Sequence, residues 1–531
     1  MGTRLRRGFS NPRFMLALAS ALLAFVVQSG ELGSADTMHR LQTAHSFWTS
    51  EPAVFPNEYP EFGVHGRDGK LYDWYGIGQP LLLLPADIVG TFLEQLPIFA
   101  DYNADPTVRS IFVTYATNLL ISVVTALVCY RLLTLLGFDV AQSVAGVLAL
   151  LFCTTHLHYT QNMMENNYIM LLTLTGFAFQ YEWLRTGSKR VLVIGSAALG
   201  LNLLARLTVG LDLIAVGVFL LLVHWFEKAG KQEFWDRAIT YAKSVLPLYL
   251  FFLLIDRAYQ LYRFGTWTDT YVHYFTLEHR LHDPSLPAKY PWETPFHVGF
   301  LGPLISPDKS IFLLDPLIAL TILVTIFGWK RFSAGMKAYI AATLFLVLAY
   351  ICFYARYTVW SGDFAWGDRY VSTAVQMAAF ISVPVLLKFR EYFGKLIWRL
   401  GLFLIGASLI IQIASLAFWV PLEIYQAEDF GRPQFVVWLR LKNIVAFALG
   451  KMDAWGLNTD AMTYDQWDNQ HITTWNFLPF VLRRVDAAPR WVVTTIFAIW
   501  YVGLAALLGA LVKIRILLQR TRATIGIAPP C

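Results

Sequence analysis

The sequence predicts an all-α integral membrane protein with about twelve transmembrane helices, in the range 11–13. Of its 531 residues, 56% are hydrophobic and only 15% are charged, whereas soluble domains carry about 25% charged residues. The mean hydropathy is +0.49, and apolar runs long enough to cross a bilayer recur along the chain. This composition argues against a soluble multidomain enzyme, a disordered chain and a disulfide scaffold.

Each predicted span rests on a run of roughly 20 apolar residues. The predicted spans are 14–30, 108–130, 140–158, 165–183, 191–206, 209–226, 239–257, 311–329, 338–355, 371–387, 400–422 and 491–512. A further apolar run, 81–99, contains Pro85, Asp87, Glu94 and Pro97. We expect this run to form an interfacial or re-entrant helix.

Loop charge predicts the orientation. With a cytoplasmic N-terminus, every short inner loop carries Lys or Arg, whereas segment 31–107 holds eleven Asp and Glu against three Lys and Arg. The positive-inside rule then places both termini in the cytoplasm and the long loops on the outer face. A multi-pass protein of a bacterial inner membrane fits this pattern. The basic start also fits a signal peptide cleaved near Ala35, although we favour a retained anchor.

A short amphipathic helix follows the first span. Met38, Leu41, His45 and Trp48 recur at helical spacing, so this helix should lie on the membrane surface. Asp36 stands at its start, where it is either the N-cap or a carboxylate that accepts a proton from an acceptor hydroxyl. We expect its pKa to be ordinary or somewhat raised by burial.

Other polar motifs fall on the same outer side. The Gly- and aromatic-rich stretch 68–80 is either an ordinary turn with interface aromatics or a loop that lines a polar pocket. The hairpin between spans 3 and 4 carries Glu165, which could be a helix cap, and two histidines that could join it around a metal ion. The candidate pocket residues of these segments are His39, Arg40, Lys70, Tyr72, Tyr75 and Glu165, and the metal candidates are His156, His158 and Glu165.

Four cations lie near outer-face turns: Arg206, Lys309, Arg356 and Arg369. Such cations often extend along apolar surface toward the interface. Near Gly- and Trp-rich turns they also suit an anionic headgroup such as a phosphate.

The order of these motifs resembles the GT-C superfamily of integral membrane glycosyltransferases. The similar features are an acidic residue opening a juxtamembrane helix, the Tyr-Gly-Ile-Gly-Gln-Pro loop at 75–80, an acidic residue between spans 3 and 4, the Ser-Pro-x-Lys segment at 306–309 and the Trp-Gly-x-Arg-Tyr segment at 366–370. The branch that this chain most resembles contains the protein O-mannosyltransferases and aminoarabinose transferases, and the resemblance covers about 1–390.

The resemblance implies a GT-C-like fold and a polyprenyl-phosphate-linked sugar donor, with inverting transfer at the outer face to a lipid, glycan or protein acceptor. It implies Asp36 as the catalytic carboxylate, Glu165 as the second acidic position, and Arg206, Lys309 and Arg369 near the donor phosphate. No cofactor is required, a divalent metal stays open, and no nucleic acid is involved. Two departures are Thr37, where many relatives carry a second acidic residue, and Asp368, which could partly neutralise Arg369.

These expectations divide the chain into three regions. Residues 1–422 form the transmembrane catalytic region, in which 31–107 is the first outer loop; 423–490 form an outer-face loop region without an assigned role; and 491–531 form the last span and a basic cytoplasmic tail. The main rival function is a transporter or flippase for a lipid or lipid-linked sugar, which predicts ionisable residues at mid-span and broken helices. A non-catalytic scaffold protein, which would tolerate loss of Asp36, is the third.

Overall fold

The computed structural model describes residues 11–524 except for 57–61, 103–104, 163–164, 229, 364, 420–421, 424–425, 427–434, 452–473 and 485–487. Of the residues described, about 74% are helical and very few are in strands. The predicted outer-face region 423–490 therefore lies partly outside the described residues, as does the end of the predicted tail, 525–531.

Helices make up nearly all regular structure. In chain order they are α1 (Pro12–Val27), α2 (Ala35–Ser46), α3 (Gly78–Glu94), α4 (Val108–Leu135), α5 (Val140–Cys153), α6 (His156–Gln161), α7 (Asn166–Thr186), α8 (Lys189–Leu203), α9 (Gly210–Glu227), α10 (Lys231–Phe264), α11 (Tyr271–His282), α12 (Phe296–Ile305), α13 (Ile311–Leu314), α14 (Leu317–Gly328), α15 (Ala334–Tyr354), α16 (Ser372–Ala379), α17 (Ser382–Lys388), α18 (Arg390–Ser415), α19 (Val436–Ala448), α20 (Leu478–Arg484) and α21 (Arg490–Thr524). Two short antiparallel strands, β1 (Val64–His65) and β2 (Leu71–Tyr72), form a hairpin in which Val64 pairs with Tyr72.

Six helical segments among the described residues are long and apolar enough to cross a membrane. They are Val108–Leu135, Leu207–Glu227, Lys231–Phe264, Ala334–Tyr354, Arg390–Ser415 and Arg490–Gln519. Each overlaps one of the twelve predicted spans. Several other predicted spans hold shorter apolar helices, among them α1 and α5, and the predicted span 371–387 is divided between α16 and α17. The molecule is thus a helical protein with several helices suited to a membrane.

The helices pack around one large apolar core. α1 lies between α4 and α21, α7 packs against both α4 and α8, and α9 packs against α15. The core contains bulky side chains from α7, α9 and α15, including Phe177, Phe219 and Tyr339. The predicted interfacial run 81–99 begins with α3, which packs on α2 and α4. α2 is thus held against α3, which in turn packs on α4.

The region after α18 is tied to the rest of the fold by a buried ion pair. Arg440 of α19 donates to both carboxylate oxygens of Glu423, each at 2.6 Å, and both side chains are fully buried. Arg440 also donates to the carbonyls of Ser415, the last residue of α18, and of Phe418 just beyond it. Its guanidinium lies 5.1 Å from the ring centre of Trp366. Residues from this region therefore contact the segment that precedes Arg369.

Candidate functional site

Asp36 lies in the first turn of α2 and faces inward. Ser34 is the N-cap of this helix, since its side chain accepts a hydrogen bond from the backbone N–H of Thr37. The alternative that Asp36 caps the helix is therefore wrong. Its carboxylate instead accepts hydrogen bonds from the Tyr75 hydroxyl at 2.7 Å and from Arg369 Nη1 at 2.9 Å.

These partners determine the acidity of Asp36. Burial by itself would raise the pKa of the carboxyl, but Arg369, Arg40 and the Tyr75 hydroxyl together lower it to about 2. The expectation of an ordinary or raised pKa is therefore wrong, because sequence does not reveal that two guanidinium groups approach the carboxylate. In this state Asp36 is ionised and a weak proton acceptor.

Glu165 forms a second ion-pair centre beside Asp36. It occupies the N-cap position of α7, yet its side chain makes no capping hydrogen bond. Its carboxylate pairs instead with Arg206 and, at 2.9 Å, with Arg40. Arg40 also donates to Gln79 Oε1 at 2.9 Å. The capping alternative for Glu165 is therefore also wrong.

The loop that carries Tyr75 is fixed by close backbone packing. Arg263 of α10 donates to the carbonyl of Tyr75 at 3.0 Å, and Gly78 N–H donates to the carbonyl of Leu204 at 2.7 Å. A Cβ atom at Gly76 would lie 2.2 Å from that same Leu204 oxygen. These glycines allow the loop to rest directly on the turn that precedes Arg206.

Lys309 supports the segment 362–370 from outside the cavity. Its ammonium donates to the carbonyl oxygens of Asp363 at 2.6 Å and Ala365 at 2.9 Å, with that of Gly367 at 3.4 Å. Burial lowers the pKa of Lys309 to about 8, although acidic neighbours oppose this effect. Burial likewise raises the pKa of Asp368 to about 7. Lys309 thus holds the loop that presents Arg369.

A cavity of about 360 Å³ connects these groups. Its charged lining comprises Asp36, Arg40, Glu165, Arg206, Asp256, Arg257 and Arg369. Four arginines thus face three carboxylates, so the lining carries a formal charge of +1 and suits an anion. Aromatic side chains and the apolar residues Leu207, Leu211, Val272 and Phe353 complete the wall. The cavity can hold a ligand with an anionic group and an apolar part.

The structure separates the remaining candidates from this cavity. Lys70 is exposed and lies near Asp68, and the Tyr72 hydroxyl donates to Asp68 at 3.0 Å. The His39 ring stacks on Phe62, with 3.6 Å between their centres. Arg356 follows the end of α15. Like Lys70, Tyr72 and His39, it does not line the cavity. These side chains therefore lie around the site rather than in it.

The two metal candidates on α6, His156 and His158, are buried, and the carboxylate of Glu165 pairs with arginines. His156 is fully buried, and His158 stacks on Trp366 with 5.9 Å between ring centres. Across the described ranges, no three His, Cys, Asp or Glu side chains form a group that could hold a metal ion. Cavity residues that sequence reasoning missed include Asp256, Arg257, Gln260, Tyr271 and Tyr370. For Asp256 and Gln260 the available signal was a polar pair, four residues apart, at the end of a predicted span.

The chain matches no protein-family model, no curated protein and no solved structure.

Proposed function

We propose that this chain is a membrane glycosyltransferase that moves a sugar from a polyprenyl-phosphate-linked donor to an acceptor hydroxyl at the outer face. The observation that carries this proposal is one cavity lined by the Asp36 carboxylate, which pairs with Arg369, and by Arg40 and Arg206, which pair with Glu165. A base for the acceptor and cations for the leaving phosphate are the two requirements of such a transfer.

The arginines would bind the donor phosphate. A donor phosphodiester carries one negative charge, which matches the +1 formal charge of the lining. Guanidinium groups bind phosphate through two parallel hydrogen bonds, so they fix its position as well as neutralising it. The leaving polyprenyl phosphate gains a further negative charge as its bond to the sugar breaks. Stabilisation by Arg206 and Arg369 would therefore increase along the reaction.

Asp36 would act as the base once the donor is bound. While it pairs with Arg369, its pKa of about 2 makes it a weak base. A phosphate that pairs with Arg369 competes for the guanidinium and thereby raises the pKa of Asp36. The acceptor oxygen then attacks the anomeric carbon, its proton passes to Asp36, and the bond from the anomeric carbon to the phosphate oxygen breaks with its electron pair. A single displacement of this kind inverts the anomeric centre.

The apolar side of the cavity supports a lipid-linked donor. Leu207 and Leu211 come from the start of the Leu207–Glu227 segment, and Phe353 comes from the end of α15. Both segments are long and apolar enough to span a membrane. A prenyl chain that leaves the cavity along these residues would enter the bilayer. We further propose twelve spans with both termini in the cytoplasm, in a bacterial inner membrane, from the loop charges.

The test is sugar transfer by the purified chain in lipid nanodiscs, from a radiolabelled pool of polyprenyl-phosphate sugars. Wild type should transfer, and Asp36→Asn should lose transfer while it still binds polyprenyl phosphate. Asp68→Asn is the matched control, because Asp68 is a nearby carboxylate outside the cavity lining, and it should transfer normally. Equal transfer by Asp36→Asn and wild type would remove Asp36 as the base and direct attention to Glu165.

The rival function, transport of a lipid or lipid-linked sugar, is an outcome of the same experiment. If wild type binds polyprenyl phosphate but transfers no sugar from any donor, the purified chain is placed in vesicles and tested for movement of the lipid across the bilayer. Movement of a fluorescent polyprenyl phosphate between leaflets would then support the flippase. Neither transfer nor movement would support the scaffold function.

A further inference from the structure

Near its C-terminal end, α10 turns its polar side chains toward the interior of the protein. Apart from Val245, the buried residues of this helix are Asp256, Gln260 and Arg263. Apolar side chains of the same helix, such as Leu250, Phe251 and Leu254, are each more than half exposed on its surface. The spacing of four and then three residues places 256, 260 and 263 on one face. Polar residues that face inward from a membrane helix mark a polar ligand or pathway.

The three polar residues differ in how their hydrogen-bonding groups are used. Arg263 donates to the carboxylate of Asp73 and to two backbone carbonyls, so it supports the loop that carries Tyr75. Asp256 Oδ2 accepts from Arg257 at 2.6 Å. The Gln260 Oε1 atom is buried and finds no hydrogen-bond partner among the described residues, and the residue is only 2% exposed. A buried unpaired acceptor is costly, which indicates that a ligand supplies its donor.

Asp256 and Gln260 face the same cavity as Asp36 but from a different wall. Both offer acceptor oxygens, so their ligand must bring hydrogen-bond donors. The aromatic rings of Tyr271, Trp292 and Tyr357 line the same cavity. A sugar ring has hydroxyl donors around its edge and flat C–H faces, and it therefore fits a wall that combines acceptor oxygens with aromatic rings.

We infer that Asp256 and Gln260 form the sugar subsite of the cavity and accept hydrogen bonds from hydroxyl groups of the transferred sugar. This inference rests on the proposed glycosyltransferase function. It separates two tasks within one cavity: the arginines around Asp36 and Glu165 bind the phosphate, and the inward face of α10 reads the sugar. A site built to bind a hydroxyl rejects an analogue that lacks it, because its own acceptor is then left unpaired.

The test compares two ligands of the full chain in lipid nanodiscs. The probes are polyprenyl phosphate without a sugar and polyprenyl phosphate linked to glucose, mannose or arabinose, and the readout is the Kd of each. Wild type should bind at least one sugar-linked lipid more tightly than the bare lipid. Gln260→Leu should weaken binding of that sugar-linked lipid by about tenfold or more and leave the Kd of the bare lipid within about twofold.

Three further variants make the result specific. Gln260→Glu keeps an acceptor oxygen and should retain most of the preference for the sugar-linked lipid, whereas Asp256→Asn should reduce it. Gln232→Leu changes an exposed glutamine at the other end of the same helix and should leave both Kd values unchanged. An unfolding temperature equal to that of wild type shows that the fold of each variant is intact.

The failures of the two proposals can be told apart. If Gln260→Leu keeps the full preference for the sugar-linked lipid, or weakens both ligands equally, the sugar subsite is refuted while a lipid-phosphate site stands. If wild type binds the bare and sugar-linked lipids equally, the subsite is again refuted. If wild type binds neither lipid, the proposed function fails and the subsite fails with it.

Discussion

Replacement of Lys309 by methionine should weaken phosphate binding although Lys309 does not line the cavity. The substitution removes two short hydrogen bonds from the ammonium, at 2.6 Å to the Asp363 oxygen and 2.9 Å to the Ala365 oxygen. Hydrogen bonds to charged groups contribute about 1.5–3 kcal/mol each, which gives a gross loss of about 3–6 kcal/mol. Methionine avoids the cost of burying an ammonium, so we expect a net loss of about 2–3 kcal/mol.

This loss of stabilising free energy affects the loop that positions Arg369. A change of about 2–3 kcal/mol corresponds to roughly 30- to 150-fold in an equilibrium constant. We therefore expect the Kd of polyprenyl phosphate to rise by that factor in Lys309→Met. The assay is titration of the lipid into the purified chain in nanodiscs, followed by the tryptophan emission of Trp366 and its neighbours. Lys309→Arg keeps the cation and should recover part of the affinity.

Lys70→Met is the matched control. Lys70 was also a candidate pocket residue from the sequence, but its side chain is 72% exposed and near Asp68. Its loss should change the Kd by less than about twofold. The reasoning is refuted if Lys309→Met binds the lipid as wild type does, or if both lysine variants lose affinity equally, since the second result would indicate a nonspecific effect of positive charge.

Three more predictions concern acidity, the buried ion pair and the glycine loop. With its pKa at about 2, Asp36 is ionised throughout the range above about pH 4, so the pH profile of kcat/KM for wild type should show no acidic limb from this group above that pH. Arg369→Gln removes the main opposite charge and should move this limb upward by about one to two pH units. An Asp36 limb above about pH 5 in wild type would contradict the assignment. Arg440→Met leaves the carboxylate of Glu423 buried without its partner and should lower the free energy of unfolding by about 3–5 kcal/mol, measured by thermal melting. Arg440→Met combined with Glu423→Gln should recover part of this stability. A double variant no more stable than the single one would count against the pair. Gly78→Ala would place a methyl group 2.6 Å from a backbone nitrogen of the turn after α8 and should lower the unfolding temperature and weaken binding of polyprenyl phosphate, and unchanged values for both would show that the loop can move away.

Loop charge and motif order predicted much of what the cavity contains. Asp36, Glu165 and Arg369 are far apart in the chain, yet the sequence placed all three on the outer side because the loops alternate in charge. The structure brings them around one cavity. The helical character is confirmed, whereas the number of twelve spans and the orientation stay predictions.

Sequence could not assign individual contacts. Lys309 was expected near a phosphate because it is a cation beside a Gly- and Trp-rich turn, but whether its ammonium meets a ligand or backbone carbonyls depends on how segment 362–370 folds. Gln260 was missed because it falls just beyond the predicted span 239–257, whereas the helix continues to Phe264 and carries Gln260 on the same face as Asp256. The polar residues at 256, 260 and 263 share one helical face, a pattern that becomes visible only when a span is examined by face rather than by average hydropathy.

The contact between the glycine loop and the turn before Arg206 has a consequence for reaction energetics. Gly78 N–H is bonded to the Leu204 carbonyl, and no side chain separates the two backbones. The loop that carries Tyr75 is therefore joined to the turn before Arg206 through main-chain atoms rather than through flexible side chains. Such a scaffold keeps its dipoles oriented before the substrate arrives, so little reorganisation energy has to be supplied during the reaction. Under the proposed function, Gly76 and Gly78 would therefore contribute to the reaction rate without contacting the substrate.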